Sequence, residues 1–549
     1  MHTAIKFDLE SSCGTSLFLR HTALKRFLIA AIGLGVVAVL VLPLLFPDTP
    51  PAALKRSTPD QVLAKYDPEE LEAEIRTFCT QCHGFPDPSL FPEHRWPSEI
   101  DRAFGFHRDS GRTDVKEPDS TAVLAWYVKY SEPQPVATTP LETDKETVFA
   151  QPVPGPMLKR AAGVANVLVV DTAAGKQIYT SDMISGRMNS IAGDLTTYNR
   201  FYEGTNPGRL RPVDLNPDCE VEYLLSDLGT PGVTDELVGK VQWLQQTSIG
   251  PEGPVFDVTT LQDGLGRTAD ARAADFDGDG DQDVVIAEFG WEKTGSVVLL
   301  ENDNGTFKRS TIDKRHGAVQ LEIVDFDADG KLDFVVIFGQ ELESVEVFRN
   351  VGDLKFEVKQ IYRSETPSFG MSSLALFDND GDGDLDILFT SGDMYDSFQI
   401  QKHHGLYMLT NDGDQFPVTF LGTQIAAMCT EYGDVDGDGD IDIVAGSFIP
   451  QETPFYTSKG YPALVLYEQT EPMKYRPRVL KAGDCAHAAI ELADLDDDGD
   501  LDLIVGSMHD QGSAKDPAVM VWKNTTADPK QAALGSSSTP GESRIVNQP

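Results

Sequence analysis

Five stretches of the chain share one arrangement of carboxylates, D-x-D-x-D-G-x-x-D, which suits a hard cation. They are Asp275, Asp277, Asp279 and Asp283; Asp325, Asp327, Asp329 and Asp333; Asp378, Asp380, Asp382 and Asp386; Asp434, Asp436, Asp438 and Asp442; and Asp494, Asp496, Asp498 and Asp502. Alternate residues of a tight loop turn inward, so positions one, three and five offer side-chain oxygens. Position seven (Asp281, Lys331, Asp384, Asp440, Asp500) offers its backbone carbonyl, and position nine is expected to close the shell. Glycine at position six, as in Gly280 and Gly330, permits a backbone reversal that a β-carbon resists. No bidentate Glu stands at position twelve, and an apolar β-rich run follows each cluster, as in Val284-Val285-Ile286. These read as hairpin Ca2+ loops, up to five of them, and not as EF-hands. A single acidic turn is commonly a solvated hairpin cap; five with the glycine fixed point to a cation.

The second constellation is Cys79-Thr80-Gln81-Cys82-His83, the C-x-x-C-H pattern of covalent haem attachment. Two thiols three positions apart on a helical turn can reach both vinyl groups of one haem, and the adjacent His83 then serves as proximal ligand. No second cysteine pair lies nearby to complete a tetrahedral zinc set. No Met occurs between 84 and 156, so the sixth ligand is expected to be His107, with His94 or an open position as alternatives.

Helices must position this motif. Asp67-Pro68-Glu69-Glu70 is a helix start, and Leu71, Ile75 and Phe78 form an apolar face leading into Cys79. A helix over 98–106 would bring Ile100, Phe104 and Phe106 to an apolar pocket ending in His107. Another runs from Ser120 to Tyr130. Segment 66–134, with CTQCH and these helices, resembles a small-class cytochrome c domain. The resemblance implies haem c bound through Cys79, Cys82 and His83, with electron transfer as the function, and departs from the family in lacking the distal Met.

The acidic clusters recur at 50, 53, 56 and 60 residues, and a faded copy (Asp214, Asn216, Asp218, Cys219, Glu222) lies 61 residues upstream of the first. Strand, acidic turn, strand, Asn/Gly turn, strand describes a blade of a four-stranded antiparallel sheet. The loops resemble FG-GAP/VCBS repeats, which implies an integrin-type β-propeller over 159–527. Seven blades are expected, closed by an N-terminal strand pairing near Val519–Trp522. The fold class is therefore multidomain: a transmembrane helix, a small all-α cytochrome c-like domain and an all-β propeller.

Residues 27–46 carry no charge over twenty positions, enough to span a bilayer core as a helix. Lys25 and Arg26 directly before them predict that 1–26 stays in the cytoplasm and the rest faces the periplasm. A cleaved signal peptide is the rival reading. Pro-rich linkers occupy 47–65 and 135–158, and the Gly/Ser-rich tail 528–549 reads as disordered. The net charge of −42 opposes nucleic acid as a partner. With no nucleophile or acid–base constellation, an electron-transfer protein docking a redox partner through its propeller is expected ahead of a hydrolase. The alternatives are a calcium-dependent binder of protein, polysaccharide or small molecule, and a propeller dehydrogenase reducing its own haem. His403-His404 reads as a polar loop, and Arg267, His316, Glu431 and His487 as a polar ring at one mouth of the channel.

Overall fold

The computed structural model describes residues 57–81, 83–131, 148–158, 160–172, 175–216, 221–250, 253–340, 343–395, 398–451, 460–509 and 517–526. The apolar run 27–46, Cys82 and the tail 528–549 lie outside them. Among the described residues no helix is long and apolar enough to cross a membrane.

These residues divide into two compact units. One holds the described residues up to Leu71 and Glu93–Lys129; the other holds Glu72–Pro92 and the described residues from Tyr130 onward.

The first unit is helical. Pro59–Leu63 opens with a capping box in which the Thr58 side chain accepts from Gln61 N–H and the Gln61 side chain accepts from Thr58 N–H. Trp96–Ser110 has a proline in its first turn and stops at Gly111 in a left-handed conformation (φ 66°). The last helix, Ser120–Tyr130, has the bounds expected of it, and Asp119 holds its N-terminus by accepting from Thr121 N–H (2.8 Å). Asp119 also accepts from the Tyr66 hydroxyl at 2.7 Å. Trp96 and Tyr127 form the core, with ring centroids 4.1 Å apart. Ile100 and Phe104 are buried here, but Phe106 is 38% exposed, which corrects the expected pocket wall. Two residues along a helix is about 200° of turn, so a residue following Phe104 by two faces away.

The second unit contains seven four-stranded antiparallel sheets among the described residues. Six take their four strands in chain order and the seventh begins with Ile490–Ala493, so in every blade the strand that opens the repeat sits on the axis. Innermost strands touch their neighbours in turn around the ring, and Val164–Thr172 meets Ile490–Ala493 to close it. Closure is interlocked. Val153–Pro154 supplies the outer strand of the last blade, pairing Val153 with Val521 and Pro154 with Met520. One sheet thus joins both ends of the propeller sequence, as the repeat spacing leads one to expect.

Blades three to seven have an apolar second strand packed on both faces. Asp283–Glu288, Asp333–Phe338, Asp386–Ser391 and Asp442–Ser447 are buried throughout, while outer strands such as Thr306–Asp313 are largely exposed. The core lies between blades. Phe276, Phe334 and Phe348 bridge the third and fourth, with Phe334 stacked on Phe348 at 4.8 Å. His403 and His404 also belong to packing, which corrects the polar-loop reading. His403 stacks on Phe369 (5.2 Å) and donates from Nε2 to Ser368 O (3.0 Å), while His404 accepts from Ala426 N–H at Nδ1 (3.2 Å). Burial pushes His403 down to about 4 and His404 to about 3.

Candidate cation loops and haem-attachment segment

All five acidic clusters connect the first and second strands of blades three to seven. In four of them the carboxylates of positions one, three and five converge, each offering an oxygen within 4.8 Å of the others: Asp275, Asp277 and Asp279; Asp378, Asp380 and Asp382; Asp434, Asp436 and Asp438; Asp494, Asp496 and Asp498. In blade four the converging set is Asp325, Asp327 and Asp333.

Backbone amides shape the loops. Asp275 accepts from Gly278 N–H (2.7 Å) and Gly280 N–H (3.0 Å), and Asp378 repeats this with Gly381 (2.8 Å) and Gly383 (3.0 Å). Position four is left-handed as well as position six, a requirement the sequence reading omitted. Glycine meets it in three loops, but Ala328 (φ 56°) and Asp497 (φ 62°) adopt it with a β-carbon.

Position nine has a further task. Asp283 accepts from Phe276 N–H (3.2 Å) with one oxygen and from Asn302 N–H (2.8 Å) with the other. Asp333 does so with Phe326 (3.0 Å) and Asn350 (2.7 Å), and Asp386 with Asn379 (3.2 Å) and Asn411 (2.8 Å). Asp442 clasps Val435 (3.1 Å) and Gln469 (2.9 Å), and Asp502 clasps Leu495 (3.1 Å) and Asn524 (2.8 Å). Each of these carboxylates is buried and ties the acidic loop to the end of the third strand. Burial outweighs the amide bonds and raises Asp283, Asp333, Asp386 and Asp502 to about 6 and Asp442 to about 7. The faded copy keeps this clasp. Glu222 accepts from Leu215 N–H (2.9 Å), the position-two residue, and from Trp243 Nε1 (3.0 Å).

The loops are not electrostatically equal. In blade four the Lys331 ammonium sits 2.5 Å from Asp329, whose carboxyl it holds down, and Arg349 lies 3.6 Å from Asp327. In blade seven Lys523 contacts Asp496. At position seven, Asp281 spends its side chain on Asn304 N–H (2.7 Å), leaving its carbonyl for any ion.

Cys79 is the last residue of helix Pro68–Cys79 and is half-buried; Asp67 caps the start by accepting from Glu69 and Glu70 N–H, both at 3.0 Å. His83 Nδ1 lies 2.6 Å from the carbonyl oxygen of Gly84. A carbonyl cannot donate, so Nδ1 carries the hydrogen and a neutral ring keeps its lone pair on Nε2, the arrangement axial ligation needs. The following segment is fitted to the propeller within the same unit. Gly84 lies so flush that a β-carbon there would stand 2.1 Å from Glu365 O, and Gln401 Nε2 donates to Leu90 O at 3.1 Å. The donors described thus fit the attachment side of a haem. Of the two sixth-ligand candidates, both in the helical unit, His94 is exposed. His107 is 13% exposed, with Nδ1 3.0 Å from Glu117 Oε1.

Of the polar residues expected at the channel mouth, Glu431 lies within innermost strand Ala427–Gly433, and Arg267 directly precedes Thr268–Ala274. His487 is buried, donating to Gly506 O (3.3 Å) and accepting from Lys481 (3.0 Å). Cys429 and Cys485 are free thiols.

A family model for FG-GAP-like repeats matches residues 275–336 and 325–389. The repeats over 275–389 are therefore FG-GAP-like, and they sit in a propeller with seven blades among the described residues. No curated protein matches the chain. Among solved structures, a luciferin-regenerating enzyme aligns at 12% identity and TM-score 0.35, covering 54% of this chain and 88% of its own. The major allergen Mala s 1 of Malassezia sympodialis aligns at 10% identity and TM-score 0.35, covering 67% and 94%. Likenesses at that level say nothing of ligand or activity.

Proposed function

We propose that the chain is a c-type cytochrome, held at the membrane by residues 27–46 and facing the extracytoplasmic space, whose calcium-stapled propeller docks the redox partner. The observation that carries the reading is His83 Nδ1 fixed on the Gly84 carbonyl directly after the C-x-x-C pair, in a segment packed on the propeller. Thioethers at Cys79 and Cys82 would hold the haem and His83 Nε2 would ligate the iron; the group supplies one-electron redox chemistry when bound. Calcium would occupy the loops through positions one, three and five and the position-seven carbonyl, with Asp333 at position nine joining Asp325 and Asp327 in blade four.

Intact-mass spectrometry of protein matured in a host competent for cytochrome c assembly tests this. The expected mass is the polypeptide plus one haem, reverting to polypeptide alone in the Cys79→Ser/Cys82→Ser variant. A mass without haem would leave the second reading, a calcium-dependent binding module, which the FG-GAP propeller supports without any cofactor.

A further inference from the structure

The innermost strands carry a charged cluster that neither the loops nor the haem segment uses. Alternation along a strand sends one residue set to the blade core and the other to the axis. Leu210, Ala271 and Leu321 take the core positions and are buried. Their neighbours Arg209 and Arg211 (blade two), Asp270 and Arg272 (blade three), and Gln320 and Glu322 (blade four) take the other face. A register shift near the start of each strand, between Pro207 and Leu210, Thr268 and Asp270, and Ala318 and Gln320, re-aims these side chains.

Asp270 is fully buried, with Arg209 NH1 and Arg211 Nε each at 3.3 Å and Arg272 Nε at 3.7 Å. Arg272 also contacts Glu322, which accepts from Gln320 Nε2 at 3.0 Å. Three guanidiniums therefore share two fixed carboxylates. Each guanidinium has five N–H donors, far more than those acceptors take up, and the side chains of Arg209, Arg211 and Arg272 stay 22%, 29% and 22% exposed. Glu431, on blade six across the ring, is half-buried, and among the described residues no ion pair reaches it. Glu431 nonetheless feels the charge of Arg211, Arg272 and Arg209, which places it among the groups lining the lumen.

We infer that the propeller lumen binds a small oxyanion, a carboxylate or phosphate, received by Arg209, Arg211 and Arg272. Guanidinium forks match both oxyanions in planar, two-point fashion. Glu431 on the far wall disfavours bare anions and favours one that also carries a hydroxyl or ammonium donor. The inference stands independently of haem.

Isothermal titration of the purified full chain with inorganic phosphate and, separately, with lactate and acetate tests it. The expected result is one site per chain for at least one probe, lactate ahead of acetate if the source is a carboxylate. Affinity should fall tenfold or more in Arg211→Gln and rise in Glu431→Gln. Arg211→Lys, which keeps the charge opposite Asp270 but loses the fork, should fold as wild type by circular dichroism and still bind weakly. No binding of any probe by wild type, or equal affinity in folded Arg211→Lys and wild type, would overturn the assignment and leave the cluster as an internal ion-pair plug.

Discussion

Replacing Asp283 by Asn should weaken the propeller with or without calcium, whereas replacing Asp279 by Asn should weaken it only when calcium is present. Asp283 is buried and accepts a backbone N–H on each oxygen, at 3.2 and 2.8 Å. An Asn in its place keeps one acceptor and turns an NH2 against the other N–H. The loss is one hydrogen bond to a charged group, about 1.5–3 kcal/mol, with a buried donor left unsatisfied. Removing a carboxyl that burial already lifts to about 6 offsets part of this, so about 2 kcal/mol should remain. Asp279 accepts the Asp281 N–H (2.9 Å) in an exposed loop, and its loss relieves repulsion with Asp275 and Asp277. Without calcium, Asp279→Asn should therefore be neutral or slightly stabilising. At calcium tenfold above Kd a filled site is worth about 1.4 kcal/mol, and that increment should vanish in Asp279→Asn. Urea unfolding in EDTA and in millimolar calcium gives both numbers. Equal behaviour of the two variants in EDTA would refute the division between clasp and ligand.

Other expectations follow from single features. Calcium titration monitored by melting temperature should fill blades three, five and six before four and seven, because Lys331 and Lys523 already neutralise the latter; Lys331→Gln should tighten the fourth site, and unchanged affinity there would contradict this. Ala328→Gly should stabilise by about 0.5–1 kcal/mol by removing left-handed strain, while Gly278→Ala at the equivalent position, where no neighbour lies within 4 Å, should destabilise by a similar amount in the same urea assay. Gly84→Ala should lift the 84–90 segment from Glu365 and speed its proteolysis; wild-type resistance would refute that fit. His404 is held below its ordinary value of 6.5, so its contribution is complete above that pH and is lost as pH falls toward about 3. The urea midpoint should accordingly drop between pH 7 and 5, less steeply in His404→Asn.

The propeller was readable because its signals are local and repeated: fixed glycines, alternate aspartates, an apolar run after each. The cation triads and the closing strand near Val519 follow from that period. Position nine also clasps the fold, while in blade four Asp333 still converges with Asp325 and Asp327, and residue type does not reveal that second task. Glu222 held the clue, since a loop that has lost its central glycine and its position-three acid still keeps a carboxylate at position nine. Glu431 was legible as a channel residue, but the arginine cluster was not, because Arg-Leu-Arg or Asp-Ala-Arg reads as an ordinary half-exposed strand until it is known to be innermost, and bulges shift its phase. His403 and His404 looked polar because adjacent histidines suggest a surface turn, whereas the chain after Gly392 folds back onto Phe369 and Ala426.

The most direct test of the account is a reduced-minus-oxidised absorption spectrum, with potentiometric titration, of the full chain expressed with the cytochrome c maturation machinery. One reversible single-electron couple with the sharp visible bands of a low-spin haem c is the predicted result, its potential reporting the sixth ligand. A colourless protein, with its calcium-dependent propeller intact, would contradict the proposal that this chain carries electrons.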